Sequence, residues 1–324
     1  MERSADGFGK ERLDARPICG EIFAMASSLV SRRSALKTLA ASTAIGLGGR
    51  AALIAAESSP DGTAPFKVKN GRILQSVVPW CFNPMTVSEL ARHSAAMGLK
   101  SVELCDPKFW PELKSLGLTC ALAGSHGFAK GFAHAEEHAE CVTLLTKRIE
   151  ECAAAGVERV ITFSGFRRGL SDEVGTKNMI AGLKKIVGLA EKKQVTLCLE
   201  MLNSRVATTM KGHPDYFCDD MDRSVDICRQ IGSERLKVLF DIYHVQIMHG
   251  DVTTRLKQYA AYIGHVHTAG VPGRNEIDDT QEINYPPLMK VLLEIGYKGY
   301  VGQEFIPMRD KIASLAQGVR ICDV

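Results

Sequence analysis

The feature that most constrains the fold is a regular alternation of short apolar stretches with longer amphipathic stretches, from residue 74 to the end of the chain. Eight apolar stretches have the length and composition of strands, and each precedes a pattern typical of a helix. The predicted strands cover residues 74–80, 101–105, 119–125, 159–165, 195–202, 236–241, 264–270 and 299–305. Eight strand–helix units in about 250 residues predict a single α/β domain, a (β/α)₈ TIM barrel with parallel strands.

An open, doubly wound parallel sheet is the alternative interpretation of the same alternation. Such sheets commonly bind dinucleotides through a GxGxxG stretch directly after the first strand. No GxGxxG stretch follows residues 74–80, so the pattern favours the barrel.

The first 56 residues have a different character from the rest. Arg32 and Arg33 precede the apolar stretch TLAASTAIGLGG, and small residues continue to Ala56. This order indicates an export signal, and the arginine pair is similar to a twin-arginine signal. We therefore predict an N-terminal extension with a signal peptide over residues 1–56 and the barrel over 57–324. A chance arginine pair before an Ala-rich tail is the alternative, and Met25 is a second candidate start.

These features also predict a location and exclude some partners. With a functional signal the protein is exported, for example to the periplasm, and otherwise it is cytoplasmic. No uninterrupted run of 18 apolar residues occurs, so no membrane span is predicted. Residues 57–324 contain 32 basic and 32 acidic residues, and this balance argues against a nucleic-acid partner. The expected partner is a small-molecule keto acid or sugar, and a homo-oligomer remains open.

The ten cysteines do not indicate a zinc site, because none forms a CxxC pair. Cys120 and Cys198 lie in apolar, strand-like surroundings. Buried free thiols behave as small hydrophobic groups, and this is the role we expect for them.

Ligand-type side chains lie at the ends of four successive predicted strands. They are Glu200, Asp241, His267 and Glu304. The carboxyl ends of barrel strands meet at one mouth, and three carboxylates there would repel each other unless a cation lay among them. Oxygen-rich ligation with one imidazole suits Mg²⁺ or Mn²⁺, with Co²⁺ possible. The alternative is a set of helix caps and surface ion pairs, and Asp241 alone is a good N-cap candidate.

The stretch IGHVHTAG carries two histidines on one face of a strand, since side chains at i and i+2 share a face. We interpret His267 as the metal ligand at the rim. His265 lies one layer deeper, as a packing residue or a partner of the ligands.

The second half of the chain resembles a known family. The matching segments are LEMLNSR (199–205), FDIYHVQ (240–246), GHVHTAGVPGR (264–274), EINYP (282–286) and GYVGQEF (299–305). They are similar to the xylose-isomerase-like barrel superfamily and, within it, to the hydroxypyruvate isomerase family. The resemblance implies a divalent metal at the barrel mouth, held by the same four residues. The family's bacterial members have glutamine at the third ligand position. This chain has His267 there, as in the related ketose 3-epimerases, which leaves the substrate open.

The resemblance implies an isomerase of the hydroxypyruvate/tartronate semialdehyde type. A proton leaves the carbon beside a carbonyl and returns to the neighbouring carbon, and the metal stabilises the enediolate as a Lewis acid. Glu200 and Glu304 are the candidate catalytic acid and base as well as ligands, whereas Asp241 and His267 are ligands only.

Two further residues are candidate substrate contacts. The resemblance places His244 against a substrate oxygen, and local capping of its helix is the alternative. Arg274 could bind a substrate carboxylate with two hydrogen bonds, and a loop arginine in solvent is the alternative. Trp80 and Phe82 follow the first strand and could wall the pocket.

Other functions fit the same barrel. A ketose 3-epimerase or a polyol-ketone lyase needs the same metal site, and a non-catalytic exported sugar-binding protein is a further alternative. A DNA-repair endonuclease of the superfamily would need a D-x-H pair after the seventh strand. The stretch NEIDDTQEINY (275–285) contains none.

Overall fold

The structure is a computed structural model that describes residues 66–324. It contains six regular strands: β1 (Leu74–Val77), β2 (Arg159–Thr162), β3 (Thr196–Glu200), β4 (Leu236–Asp241), β5 (Ile263–Thr268) and β6 (Tyr300–Gln303). All neighbours pair in parallel, in the order β1-β6-β5-β4-β3-β2. The predicted export signal, with Arg32 and Arg33, lies outside the described residues.

Two of the eight predicted strands, 101–105 and 119–125, are wrong as regular strands. Each forms only an isolated parallel bridge, Ser101 with Thr119 and Ala123 with Val160. The hydroxyl of Ser101 accepts the backbone N–H of Ala121 at 2.8 Å, so a side chain occupies a position that a backbone carbonyl would fill in a ladder. Leu104 has a φ of 52°, which ends the extended backbone directly after Glu103.

These two segments nevertheless close the barrel. The N–H of Glu103 donates to the carbonyl of Val77 in β1 at 3.0 Å, and the N–H of Leu104 donates to Leu122 at 2.8 Å. The N–H of Ile161 in β2 donates to Ala123 at 3.0 Å. Six strands and two short extended segments therefore form the predicted parallel ring, whose core is filled by side chains.

Helices follow the strands on the outside. Their bounds are α1 (Val87–Met97), α2 (Trp110–Ser115), α3 (His138–Ala155), α4 (Asp172–Leu183), α5 (Val187–Lys193), α6 (Met221–Ile231), α7 (Ile242–Met248), α8 (Val252–Gln258), α9 (Tyr285–Glu294) and α10 (Lys311–Cys322). Capping side chains determine where several of these helices begin. At α1, Thr86 and Glu89 form a reciprocal capping box. Helices α7 and α8 are separated by Gly250 and Asp251, which both adopt positive φ angles.

The nine cysteines among residues 66–324 are free and buried, as expected for small hydrophobic side chains. Burial raises the pKa of the Cys198 thiol to about 12, so this thiol stays protonated. Within residues 66–324, no helix combines the length and the hydrophobicity that a membrane span requires.

Candidate metal centre and substrate pocket

The four predicted ligands converge at one mouth of the barrel. Glu200 ends β3, Asp241 ends β4, His267 lies near the end of β5 and Glu304 directly follows β6. One ligand atom from each residue lies within 4.8 Å of the others, and all four residues are buried. In the ladder, Asp241 is paired with His267. The convergence therefore follows from strand register.

Asp241 caps α7 with one carboxylate oxygen and leaves the other without a partner in the described chain. Its Oδ1 accepts the backbone N–H of Tyr243 at 2.8 Å and that of His244 at 3.4 Å, as the N-cap of α7. Its Oδ2 is buried and accepts no hydrogen bond from the described chain. Capping fixes the carboxylate and leaves one oxygen free to face the mouth.

His267 is oriented by Glu103, a residue absent from the predicted site. The Nε2–H of His267 donates to Glu103 Oε1 at 2.7 Å, and the Nε2–H of His265 donates to the same oxygen at 2.9 Å. Burial alone would raise the pKa of Glu103, but the charge of His265 and the two hydrogen bonds outweigh burial and lower it to about 2. With its hydrogen on Nε2, a neutral His267 presents the Nδ1 lone pair to the mouth, the arrangement found at carboxylate–histidine–metal sites.

Gly302 makes room for this arrangement. It pairs with His267 across β5 and β6. A Cβ atom at this position would lie 2.3 Å from Glu103 Oε1 and 2.8 Å from His267 Cδ2. Only a residue without a side chain lets the buried carboxylate reach the histidine.

The two candidate catalytic carboxylates have different surroundings. Glu304 Oε1 accepts the indole N–H of Trp80 at 3.2 Å, and its Oε2 accepts Arg274 Nη2–H at 2.6 Å. Burial opposes ionisation of Glu304, but the charges of Arg274 and His267 outweigh it and hold the pKa well below its usual range. The nearest ionic partner of Glu200 is His267 Nδ1, at 3.7 Å, which is beyond hydrogen-bond distance. Burial raises the pKa of Glu200 to about 7.

Arg274 lies inside the site rather than in solvent. Its side chain is buried, and Nη1 donates to the carbonyl of Met210 at 2.8 Å. Nη2 donates to Glu304 Oε2 and also lies 3.5 Å from Asp241 Oδ2. The guanidinium packs over the rings of Trp80 and Tyr243 at 5.2 Å and 5.5 Å. The predicted carboxylate-binding residue is thus paired with two of the candidate metal ligands.

His244 points inward and does not cap its helix with its ring. The backbone N–H of Asn203 donates to His244 Nδ1 at 3.0 Å, and the Asn203 side-chain amide lies 2.7 Å from the same atom. Because a backbone N–H can only donate, Nδ1 is the acceptor and a neutral ring carries its hydrogen on Nε2. Nε2 lies 3.6 Å from Asp241 Oδ2 and has no hydrogen-bond partner among residues 66–324. His244 therefore offers one buried N–H donor to the site.

The donor set fits a divalent cation. His267 Nδ1 lies 2.9 Å from Glu304 Oε2, yet it makes no hydrogen bond with the described chain, and Asp241 Oδ2 is equally unpartnered. Buried polar atoms in this state are costly unless a further partner is present. Glu200, Asp241, His267 and Glu304 supply carboxylate oxygens and one imidazole nitrogen, which are ligands suited to Mg²⁺ or Mn²⁺.

A cavity of about 210 Å³ opens beside these residues. Its lining includes Glu200, Glu304 and Arg274 together with the apolar side chains Trp80, Leu104, Phe128, Phe163, Leu202 and Met210. Trp80 therefore walls the pocket as expected. Phe82 does not, because it is fully buried against Phe305 with ring centroids 5.8 Å apart. The cavity is smaller than the roughly 300–1,000 Å³ of pockets for drug-sized ligands.

Comparison with known proteins decides the family. A family model described as "Xylose isomerase-like TIM barrel" matches residues 91–322. The chain belongs to this family. The family resemblance and the TIM-barrel prediction are thereby confirmed.

Two curated relatives are named as isomerases. A protein from Cupriavidus necator named 2-oxo-tetronate isomerase is 32% identical over 238 residues, covering 68% of this chain and 88% of the relative. A human protein named putative hydroxypyruvate isomerase is 28% identical over 236 residues, covering 71% and 79%. A crystal structure titled AP endonuclease, family 2, from Brucella melitensis superposes with a TM-score of 0.66 at 26% identity, covering 76% and 98%.

Proposed function

We propose that this protein is a divalent-cation-dependent isomerase. Its substrate is a small 2-keto-3-hydroxy compound of the hydroxypyruvate type, and the reaction moves a proton between neighbouring carbons. The single observation that carries the proposal is the convergence of four ligand atoms within 4.8 Å beside a small cavity. The names of the two curated relatives, both isomerases, support the same class.

Glu200, Asp241, His267 and Glu304 would hold the cation, and Glu103 would keep the His267 ring in place. When bound, the cation supplies Lewis-acid polarisation of a carbonyl group. Mg²⁺ and Mn²⁺ suit the donor set, as argued above, and Co²⁺ is a third candidate.

The proton transfer is assigned to the two glutamates. Glu304 is ionised and held by Trp80 and Arg274, so it is positioned but weakly basic. Glu200 is free of hydrogen-bonding side chains and is the better group to accept and return a proton near neutral pH. Carboxylates whose surroundings separate their pKa values are suited to unequal acid–base roles.

Substrate contacts would come from the other side of the pocket. The Nε2–H of His244 is a directed donor for a carbonyl or hydroxyl oxygen. Arg274 would bind a substrate carboxylate when a cation takes over the charges of Glu304 and Asp241, because the guanidinium is then released from them.

A ketose 3-epimerase is the second candidate, and one observation favours it. Arg274 is already paired with Glu304 at 2.6 Å, and this ion pair competes with a substrate carboxylate for the guanidinium. A neutral ketose does not need the guanidinium charge, and the proton abstraction would be the same.

Solvent deuterium uptake tests the proposal and separates the candidates. The full chain is incubated in D₂O with Mn²⁺ or Mg²⁺ and with hydroxypyruvate, a four-carbon 2-keto sugar acid or a ketohexose. The proposal predicts metal-dependent exchange beside the carbonyl, lost in Glu200→Gln and retained in Glu112→Gln, whose carboxylate accepts a hydrogen bond from Ser88 outside the site. Deuterium uptake by the keto acids supports the isomerase, and deuterium uptake by the ketohexose alone supports the epimerase. Absence of exchange with all three compounds would overturn the proposal.

A further inference from the structure

The loop that follows β3 forms one wall of the cavity and is organised by Asn203. The Asn203 carbonyl accepts the N–H of His213 at 2.8 Å, and its side-chain amide donates to the carbonyl of Lys211 at 2.9 Å. Met210 and His213 from this loop line the cavity. Asn203 therefore fixes the loop. It also fixes the ring of His244, because its backbone N–H donates to Nδ1 of that ring.

Most polar side chains around the cavity already have partners in the protein. Ser125 donates to the carbonyl of Ile161. His126 contacts Thr162 Oγ1 at 3.0 Å through Nε2, and the carbonyl of Lys130 at 3.1 Å through Nδ1. The charged groups belong to the metal centre and its arginine.

His213 is different. Its side chain is buried and lines the cavity, yet neither ring nitrogen has a hydrogen-bond partner among residues 66–324. The ring is held in place by Phe128, with centroids 4.4 Å apart, and by the backbone bond to Asn203. A rigid imidazole that lines the cavity and has no partner in the described chain is available to hydrogen-bond a ligand there.

The position of His213 shows which part of a ligand it can reach. Its ring centroid lies 6.2 Å from that of His244, whose Nε2 lies 3.6 Å from Asp241 Oδ2. His213 is not one of the residues whose ligand atoms converge within 4.8 Å. A ring that lines the cavity outside this cluster is placed to meet a part of the substrate beyond the reacting carbons.

The charge of His213 indicates the kind of group that it binds. Burial and the nearby guanidinium of Arg274 lower its pKa to about 4, so the ring is neutral at physiological pH. A neutral imidazole has one donor and one acceptor. This pair matches a hydroxyl group, which can also donate and accept, better than a carboxylate, which only accepts.

We propose that His213 is a specificity-determining residue that hydrogen-bonds a substrate hydroxyl beyond the reacting carbons, so that the preferred substrate has four or more carbons. This inference rests on the proposed isomerase function. Hydroxypyruvate has no such hydroxyl, whereas a four-carbon 2-keto sugar acid carries one on C4.

The test uses two substrates of equal length. A four-carbon 2-keto-3,4-dihydroxy acid is compared with its 4-deoxy analogue, which keeps the reacting carbons but lacks the distal hydroxyl. The ratio of their kcat/KM values for deuterium exchange is measured in the wild type, His213→Phe and His213→Gln. His93→Phe, on the exposed face of α1, is the matched control. Mn²⁺ affinity is measured in each protein to verify the metal centre.

The wild type is expected to prefer the hydroxylated substrate. His213→Phe lowers the ratio by about 10- to 100-fold, as expected for loss of one buried hydrogen bond, and His213→Gln restores part of it. Mn²⁺ affinity stays within about twofold, since His213 is not a ligand. An unchanged ratio in His213→Phe, or an equal loss on both substrates, would overturn the inference while exchange itself persists. If neither the wild type nor any variant catalyses deuterium exchange into either substrate, the proposed isomerase function is wrong instead.

Discussion

Glu103 Oε1 lies 2.7 Å from Nε2 of His267, on the side of the ring that faces away from the barrel mouth. The contact joins residues 164 positions apart. It fixes which ring nitrogen carries the hydrogen, and so it couples a buried carboxylate to the nitrogen that faces the candidate cation.

Replacement of Glu103 by glutamine should weaken metal binding without removing a ligand. The substitution removes the negative charge that makes His267 a stronger donor, and we expect Mn²⁺ affinity to fall by about 10- to 100-fold. Calorimetric titration measures the change, with Glu112→Gln as the control. Affinity within twofold of the wild type would show that Glu103 does not support the metal centre.

Gly302→Ala should disturb the same contact from the other side. The new Cβ would meet Glu103 Oε1 at 2.3 Å, so the buried pair must shift. We expect a loss of about 1–3 kcal/mol in the free energy of unfolding, together with weaker Mn²⁺ binding.

Gly188→Ala is the control for this experiment. Gly188 is exposed within α5, and its added Cβ would meet no atom within 4 Å. This variant should gain about 0.5–1 kcal/mol, because alanine favours a helix. Denaturant unfolding of both variants is the measurement. Equal stabilities would contradict the packing argument at Gly302.

Asn203 should control the tautomer of His244. In the wild type, ¹⁵N NMR of the ring should show a neutral imidazole with its hydrogen on Nε2, because burial and Arg274 hold the pKa well below its usual value. Asn203→Asp places a carboxylate beside Nδ1 and should raise the His244 pKa by about 1–3 units. Asn178→Asp is the control, since Asn178 donates to the carbonyl of Ala133 instead. A wild-type ring with its hydrogen on Nδ1 would refute the assignment.

Arg274→Met should separate metal binding from substrate binding. The guanidinium lies 2.6 Å from Glu304 Oε2, where it competes electrostatically with a cation. Its removal should strengthen Mn²⁺ binding by a few fold and raise the KM for a keto acid by about 10-fold or more. Arg309→Met removes an arginine paired with Asp278 and Glu276 away from the site and should change neither value. Weaker Mn²⁺ binding in Arg274→Met would contradict electrostatic competition between the guanidinium and the cation.

The part of the site that lies on strands could be predicted from the sequence, and the rest could not. Parallel strands in a closed barrel end at one mouth, so the strand ends at Glu200, Asp241, His267 and Glu304 sufficed to bring these residues together. Glu103 was missed because its approach to His267 depends on how residues 100–104 join β1, a non-local pairing. Its one signal was an acidic residue inside the apolar stretch SVELC.

The positions of the loop residues could not be predicted from the sequence in this way. The sequence placed Arg274 near the mouth, but its pairing with Glu304 depends on the path of the loop after β5. His213 and Asn203 lie on the loop after β3, where no periodicity determines direction. At the two segments that do not form regular ladders, the Ser101 hydroxyl accepts a backbone hydrogen bond and Leu104 adopts a positive φ. Strand propensity and hydrophobic pattern do not predict where a side-chain hydroxyl takes the place of a backbone carbonyl as the acceptor.

Cation binding should release protons, and the sign follows from the raised pKa values. Burial raises the pKa of Glu200 to about 7 and that of Asp241 to about 6. Burial would lower the pKa of His267, but the charge of Glu304 and the hydrogen bond to Glu103 outweigh it and raise the pKa well above its usual value. All three groups must be unprotonated to bind a cation. Affinity therefore rises with pH through the neutral range and falls as pH drops through about 7 and then 6.

Mn²⁺ titration of the full chain by calorimetry, at neutral pH in two buffers of different ionisation enthalpy, determines whether the four converging residues form a cation site. We expect one Mn²⁺ per chain with net proton release, and loss of this binding in His267→Ala, while His93→Ala binds as the wild type does. Absence of binding, binding that persists in His267→Ala, or affinity independent of pH would contradict a cation site at these residues.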